Sequence, residues 1–261
     1  MNLDALAFGA HADDVELSCG GTLIKLAALG HRTGVVALTR GEMGTRGTPE
    51  IRAREFDRAA EIMGLAAHAM LDIPDARIEA SWENKLKVIA AIRAHRPRIV
   101  FAPYWGERHP DHEQASRLVR ESAYLAGLQK IDTGQEAFRP FRVLYYQSRY
   151  EFTPSFVVDV SAYHDGKMRA VLAYQSQFYH RFEQGGATPA SAPGPAPDAS
   201  GAGEPETMLS RPEFLDAIET RDRRYGALIG AKYGEPFVIR EPLAVDDPAA
   251  FFGPGAPGMN P

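Results

Sequence analysis

Short apolar runs, alternating with stretches of helical periodicity, constrain this chain more than any other feature. Ala5–Phe8, Gly34–Thr39, His68–Leu71, Ile99–Ala102, Val143–Gln147 and Phe156–Val160 read as strands. Between the first two, Leu23, Ile24, Ala27 and Ala28 recur at helical spacing up to Gly30, with Gly20-Gly21 near the expected helix start. Thr48 reads as an N-cap with Pro49 at the first helical position, and that helix runs to about Met63 and stops at Gly64. Glu83–His95 places Leu86, Ile89 and Ile92 on one side, and the stretches 112–126 and 211–228 are also helical. Strand and helix alternating through short connections predict an α/β fold, three-layer and Rossmann-like. Its sheet is mostly parallel, with helices on both faces and room for an antiparallel edge at the last two strands.

The length of 261 residues suits one α/β domain over 1–240, followed by an irregular Pro/Gly-rich tail over 241–261. Residues 184–207 hold no aromatic or large aliphatic side chain, so they are expected to form an insertion that packs no core. The 29 Lys+Arg against 34 Asp+Glu leave a net charge of -5, without the basic stripe of a nucleic-acid binder. Cys19 is the only cysteine, which excludes an internal disulfide and a Cys-based zinc finger. No run approaches the ~20 apolar residues of a membrane helix, and no leader is evident at the first residues. The expectation is a cytoplasmic protein with neither membrane nor nucleic acid as partner.

Two polar clusters follow apolar strands. The first is Ala10-His11-Ala12-Asp13-Asp14-Val15-Glu16, and the second is His109-Pro110-Asp111-His112. In a parallel sheet the loops after the strands meet along one edge, so clusters distant in sequence can converge there. His11 and Asp14 are three apart and can face one way, leaving Asp13 beside a metal rather than on it. A metal-activated water needs such a neighbour to accept its proton. His109 and His112 are also three apart, so one can ligate while the other faces a substrate. Two His and one Asp suit a hydrolytic divalent-metal centre.

Other readings of these residues stay open. His11, Asp13 and Asp14 also fit a helix cap and turn. Two His and a carboxylate are the triad of non-haem Fe(II) oxygenases as well, although those sites usually sit on β-jelly-rolls. A non-catalytic sugar-binding module is a third possibility, with little need for a base and an acid beside a metal. His31, His68, His95, His164 and His180 read as surface or packing residues, and Cys19 as a small buried hydrophobe. Gly41–Gly47 lacks the Gly-Lys-Ser/Thr ending of a phosphate loop, and Gly9-Ala10-His11 lacks the dinucleotide fingerprint.

The two clusters, with Gly20-Gly21-Thr22, Gly41–Gly47, Arg52, Ser176-Gln177-Phe178 and Tyr233–Phe237, resemble the zinc-dependent N-acetylglucosaminyl de-N-acetylases of the LmbE-like, PIG-L superfamily. Within it, the chain is most similar to the bacillithiol-biosynthesis deacetylases, which act on N-acetylglucosaminyl malate. The common first motif AHPDDxE is matched except at Ala12, and AHADD occurs in the bacillithiol branch. The resemblance implies His11, Asp14 and His112 as ligands of Zn2+, with Fe2+ also suited to the set. It implies Asp13 as general base and His109 as the acid or electrostatic partner of the oxyanion. Arg52 would contact the substrate, with Arg139 and Tyr233 as further substrate-binding candidates and Glu235 beside Tyr233. It also implies a small-molecule amino-sugar substrate and a homo-oligomer, a hexamer being one such form. Chitobiose, mycothiol precursors or an antibiotic sugar are the alternative substrates.

Overall fold

The computed structural model describes residues 2–178 and 204–252. The predicted insertion therefore lies outside the described residues except for its last four positions. The strands are β1 (Ala5–Gly9), β2 (Thr33–Ala37), β3 (Ala67–Met70), β4 (Ile99–Pro103), β5 (Arg142–Tyr146), β6 (Phe156–Asp159) and β7 (Gly234–Val238). The helices are α1 (Asp14–Ala28), α2 (Pro49–Met63), α3 (Trp82–His95), α4 (Pro110–Leu125), α5 (His164–Val171), α6 (Pro212–Leu228) and α7 (Pro248–Phe252). They build a sheet of order β3-β2-β1-β4-β5-β7-β6. The strands β1 to β5 pair in parallel, and β7 runs antiparallel between β5 and β6.

The alternation of strand residues sorts the core into two layers. Ala5, Ala7, Val35, Ala37 and Phe101 face one side, where Phe56, Ala59 and Met63 of α2 and Ala170 and Val171 of α5 pack with α1. Leu6, Phe8, Val36, Val100 and Ala102 face the other, against Val88, Ile89 and Ile92 of α3 and Leu118 and Val119 of α4. Leu6 and Phe8 lose all exposure, and full burial of such side chains contributes roughly 1.5–3 kcal/mol each. These strands carry apolar residues on both faces because helices cover both. The predicted three-layer, mostly parallel sheet is thus the observed one.

Local signals set the helix ends. The Thr48 hydroxyl accepts from Ile51 N, Pro49 opens α2, and Gly64 closes it in the left-handed region at φ 67°. Ser81 caps α3 by accepting from Asn84 N. Three features differ from the sequence expectation. First, α1 begins at Asp14, and Gly20-Gly21 lies inside it, after a break at Cys19 (φ −138°, ψ 19°). Gly21 permits this close approach: a Cβ there would stand 3.0 Å from Val160 Cβ and 3.1 Å from Glu235 Oε1. Second, β5 and β6 are not paired with each other; β7 lies between them, in a segment whose short Gly-Glu-Pro-Phe-Val sequence carries no strand periodicity. Third, the described part of the tail contains the short α7. Among the described residues, no helix is long and apolar enough to cross a membrane.

The strand order reverses at β1 and β4, neighbours that lead to β2 and β5 on opposite sides. The loops beyond their carboxyl ends diverge and open a crevice. Both polar clusters emerge there.

Candidate metal centre and cleft

The cleft above the switch point has a volume of about 440 Å³. His11, Asp13 and Asp14 reach it from the end of β1, and His109 and His112 from the loop after β4 and the first turn of α4. His109 is the N-cap of α4: its Nδ1 accepts from Asp111 N at 3.1 Å, and Pro110 takes the first helical position. This cap orients both histidines of the second cluster.

Asp13 holds the left-handed region at φ 109°. Such a conformation in a residue with a Cβ costs about 1–3 kcal/mol and is retained where its surroundings over-determine it. Here Arg52 of α2 donates from Nη2 to Ala12 O at 2.7 Å and to Asp13 Oδ2 at 3.2 Å. Arg52 is itself pressed against Gly41, where a Cβ would lie 2.8 Å from its Nη1. Gly41 also adopts φ 68°, so both space and backbone favour glycine.

His112 Nε2 lies 3.1 Å from Asp14 Oδ1, and His11 Nδ1 lies 3.6 Å from Asp14 Oδ2. One ligand atom from each of His11, Asp14 and His112 falls within 4.8 Å of the others, and so does one from each of His11, His109 and Asp111. In the second set Asp111 already accepts from Ala76 N at 2.8 Å and from Ile78 N at 3.4 Å. The first set is therefore the better cage.

Electrostatics fit a bound cation. Burial disfavours the charged form of His11, but hydrogen bonds to Asp111, Asp14 and Asp75 outweigh it and hold the imidazole well above its usual range. Burial likewise opposes ionisation of Asp14, yet His112 and His11 hold that carboxyl well below its usual range. Burial also acts against a charged His112, and Asp14 overrides it and raises the ring. Carboxylates that draw protons onto nearby imidazoles will draw a divalent cation into the same place. Burial pushes Asp13 up to about 7, with Arg52 pulling against it. His109 goes the other way: burial, then the nearby His11 and His112, hold it below its usual range.

Arg52 lines the cleft as expected. Arg139 and Tyr233 do not. Arg139 precedes β5, at the opposite end of the parallel strands, where it lies over the Tyr124 ring at 4.3 Å and borders a separate groove. Tyr233 stacks on His164 with centroids 3.7 Å apart and donates to Glu219 at 2.9 Å. Glu235 is fully buried: it accepts from Gly21 N, Thr22 N and Thr22 Oγ1, and from Lys167 Nζ at 2.8 Å. Their proximity to recognisable motifs in the sequence reflects packing rather than contact with the cleft.

Several residues of the site carried no signal of their own in the sequence. Asp75, in the loop after β3, meets His11 Nε2 at 3.0 Å. Glu107 anchors the loop after β5 by accepting from Ser148 N, Arg149 N and Tyr150 N. Arg221 of α6 and Phe214, Ile218, Met208 and Leu209 close another wall. Arg108 and Arg149 stand at the rim, both exposed, and neither guanidinium has a carboxylate partner among the described residues.

The sequence profile of PIG-L, described as GlcNAc-PI de-N-acetylase, matches residues 6–123. Diacetylchitobiose deacetylase from Thermococcus kodakarensis is 32% identical over 186 residues, covering 66% of this chain and 69% of that relative. A 1D-myo-inositol 2-acetamido-2-deoxy-alpha-D-glucopyranoside deacetylase from Catenulispora acidiphila is 30% identical over 169 residues, 51% of this chain and 56% of its own. The chain thus spans little more than half of the second relative. A conserved protein from Thermus thermophilus superposes with a TM-score of 0.79 at 39% identity, over 93% of this chain and 97% of its own.

Proposed function

The chain belongs to the PIG-L family of GlcNAc-PI de-N-acetylases, and from that premise we propose that it removes acetate from an N-acetylglucosaminyl conjugate with a carboxylate-bearing aglycone, N-acetyl-α-D-glucosaminyl L-malate. Membership makes it a hydrolytic deacetylase for an N-acetylglucosamine-type substrate. The observation that carries the finer assignment is the pair of rim arginines. Arg108 and Arg149 border the cleft and, among the described residues, neither guanidinium meets a carboxylate, and a guanidinium fork matches a carboxylate. A neutral disaccharide is the second reading, favoured by the likeness to the diacetylchitobiose deacetylase.

His11, Asp14 and His112 would hold the metal, and zinc suits two imidazoles and a carboxylate. Once bound, such an ion supplies Lewis-acid polarisation of the amide carbonyl and acidifies water. Asp13 accepts the proton of the attacking water on its carboxylate, which Arg52 holds toward the cleft. A carboxyl moved toward neutrality can both take that proton and release it. His109 keeps Nδ1 on Asp111 N, so its neutral ring carries the proton on Nε2. It therefore donates to the oxygen that gains charge, without first having to be protonated. The leaving amine takes its proton from Asp13.

The test is amine release by zinc-loaded protein from N-acetylglucosaminyl malate, diacetylchitobiose and N-acetylglucosamine. Fastest release from the malate conjugate is expected, with Arg108→Ala/Arg149→Ala raising KM for it at least about tenfold, the equivalent of about 1.4 kcal/mol, and leaving the neutral sugars unchanged. Equal loss on all three would remove the carboxylate-reading role. Release from diacetylchitobiose alone would establish the second reading.

A further inference from the structure

Asp75 has no place in the chemistry just described, yet several of the described loops and helix starts meet at it. Its Oδ1 lies 3.0 Å from His11 Nε2 and accepts from its neighbour Ala76 N at 2.8 Å. Its Oδ2 accepts from Met43 N at 3.0 Å, and its own N donates to Glu42 Oε1 at 2.7 Å. Ala76 adopts φ 60°, which turns its amide onto Asp75 and Asp111 together. Asp111 Oδ2 is also 3.4 Å from His11 Nε2. Two carboxylates thus converge on one ring nitrogen.

We infer that Asp75 is a positioning residue that fixes the proton of His11 on Nε2, leaves Nδ1 as the ligand atom, and ties the cleft wall Met43–Arg46 to that ligand. This rests on the reading of His11, Asp14 and His112 as the metal cage. Nδ1 is the nitrogen facing Asp14, and a carboxylate on the other nitrogen of a ligating imidazole sets its tautomer and raises its basicity. The backbone of Met43 is held by the same carboxylate, and Met43, Gly44, Thr45 and Arg46 all line the cleft. A substrate that displaces this wall therefore acts on the ligand as well.

The experiment measures zinc affinity by chelator competition in wild type, Asp75→Ala, Asp75→Asn and His112→Ala, together with imidazole 15N spectra of the zinc-loaded wild type. Loss of the outer carboxylate should weaken zinc about 10- to 100-fold in Asp75→Ala. Asp75→Asn keeps a carbonyl acceptor and should fall between. The spectra should show His11 metallated at Nδ1 and protonated at Nε2. Wild-type affinity in Asp75→Ala, or zinc on Nε2, overturns the inference. The spectrum of the wild type decides the point even if Asp75→Ala does not fold. His112→Ala separates the two claims: its loss of zinc supports the cage, and unchanged affinity there refutes the cage itself.

Discussion

Arg52 and Asp13 form a buried pair in which the cation restrains the carboxylate: Nη2 stands 3.2 Å from Oδ2 while also gripping the Ala12 carbonyl. Burial raises Asp13, and Arg52 is the chief opposing influence. Arg52→Lys keeps the charge and loses the fork geometry. It should lower kcat about 10- to 100-fold, the scale expected for a mispositioned catalytic group. The acidic limb of the pH–rate profile should also move upward, because a less restrained Asp13 holds its proton to higher pH. A profile with an unmoved acidic limb would separate Arg52 from the base.

Removing a cage residue should act on metal and rate together. His11→Ala and His112→Ala are expected to lose stoichiometric zinc and turnover, as is wild type after exhaustive chelation, with recovery of the wild type on adding zinc back. Asp13→Ala should keep its zinc and lose at least about a thousandfold in kcat, in line with the loss of a general base together with its positioning role. Metal analysis of each purified variant checks this, and loss of zinc from Asp13→Ala would make Asp13 a ligand.

Glu16 supplies a pH test of stability. It is fully buried, and burial pushes it up to about 7 against the hydrogen bond from Tyr174. The native chain then keeps a proton that the unfolded chain releases near its ordinary value of about 4.3. The stability that Glu16 contributes must fall as pH rises between those values and level off above about 7. Glu16→Gln retains an acceptor for Tyr174 and has no charge to bury. Denaturant titrations of metal-free protein should show the variant gaining on wild type by up to about 3 kcal/mol from about pH 4.5 to about pH 8. A constant difference would refute the burial account.

Lys167 lies fully buried between Asp222 at 2.6 Å and Glu235 at 2.8 Å. Glu235 in turn holds the amides freed at the break in α1. Lys167→Met leaves Glu235 without its ammonium and Asp222 with only Arg221, whose Nη2 stands 2.9 Å from it, and breaking such a buried pair typically costs about 3–5 kcal/mol. Urea unfolding should register a loss of that size, while Lys167→Met/Asp222→Asn should recover part of it. Additive losses would mean that the charges act independently.

The sequence by itself determined the layers, the ends of α2 and the two polar clusters. Apolar period and caps are local properties: Thr48, Pro49 and Gly64 bound α2 through bonds within a few residues of themselves. The residues His11, Asp13 and Asp14 and the pair His109 and His112 were legible because each cluster sits directly after a strand, and parallel pairing of β1 with β4 brings such ends together. The break at Cys19 was not legible, because the carboxylate that satisfies it, Glu235, is 214 residues from Gly21. For the same reason Asp75 gave no sign of its place: it is 64 residues from His11, in a loop without a motif. Conversely, Arg139 and Tyr233 stood near suggestive residues and were carried elsewhere by the fold. Only the tertiary structure decided these partners, since a side chain's role depends on what the opposite loop presents to it, and that distance is set by the sheet rather than by the chain.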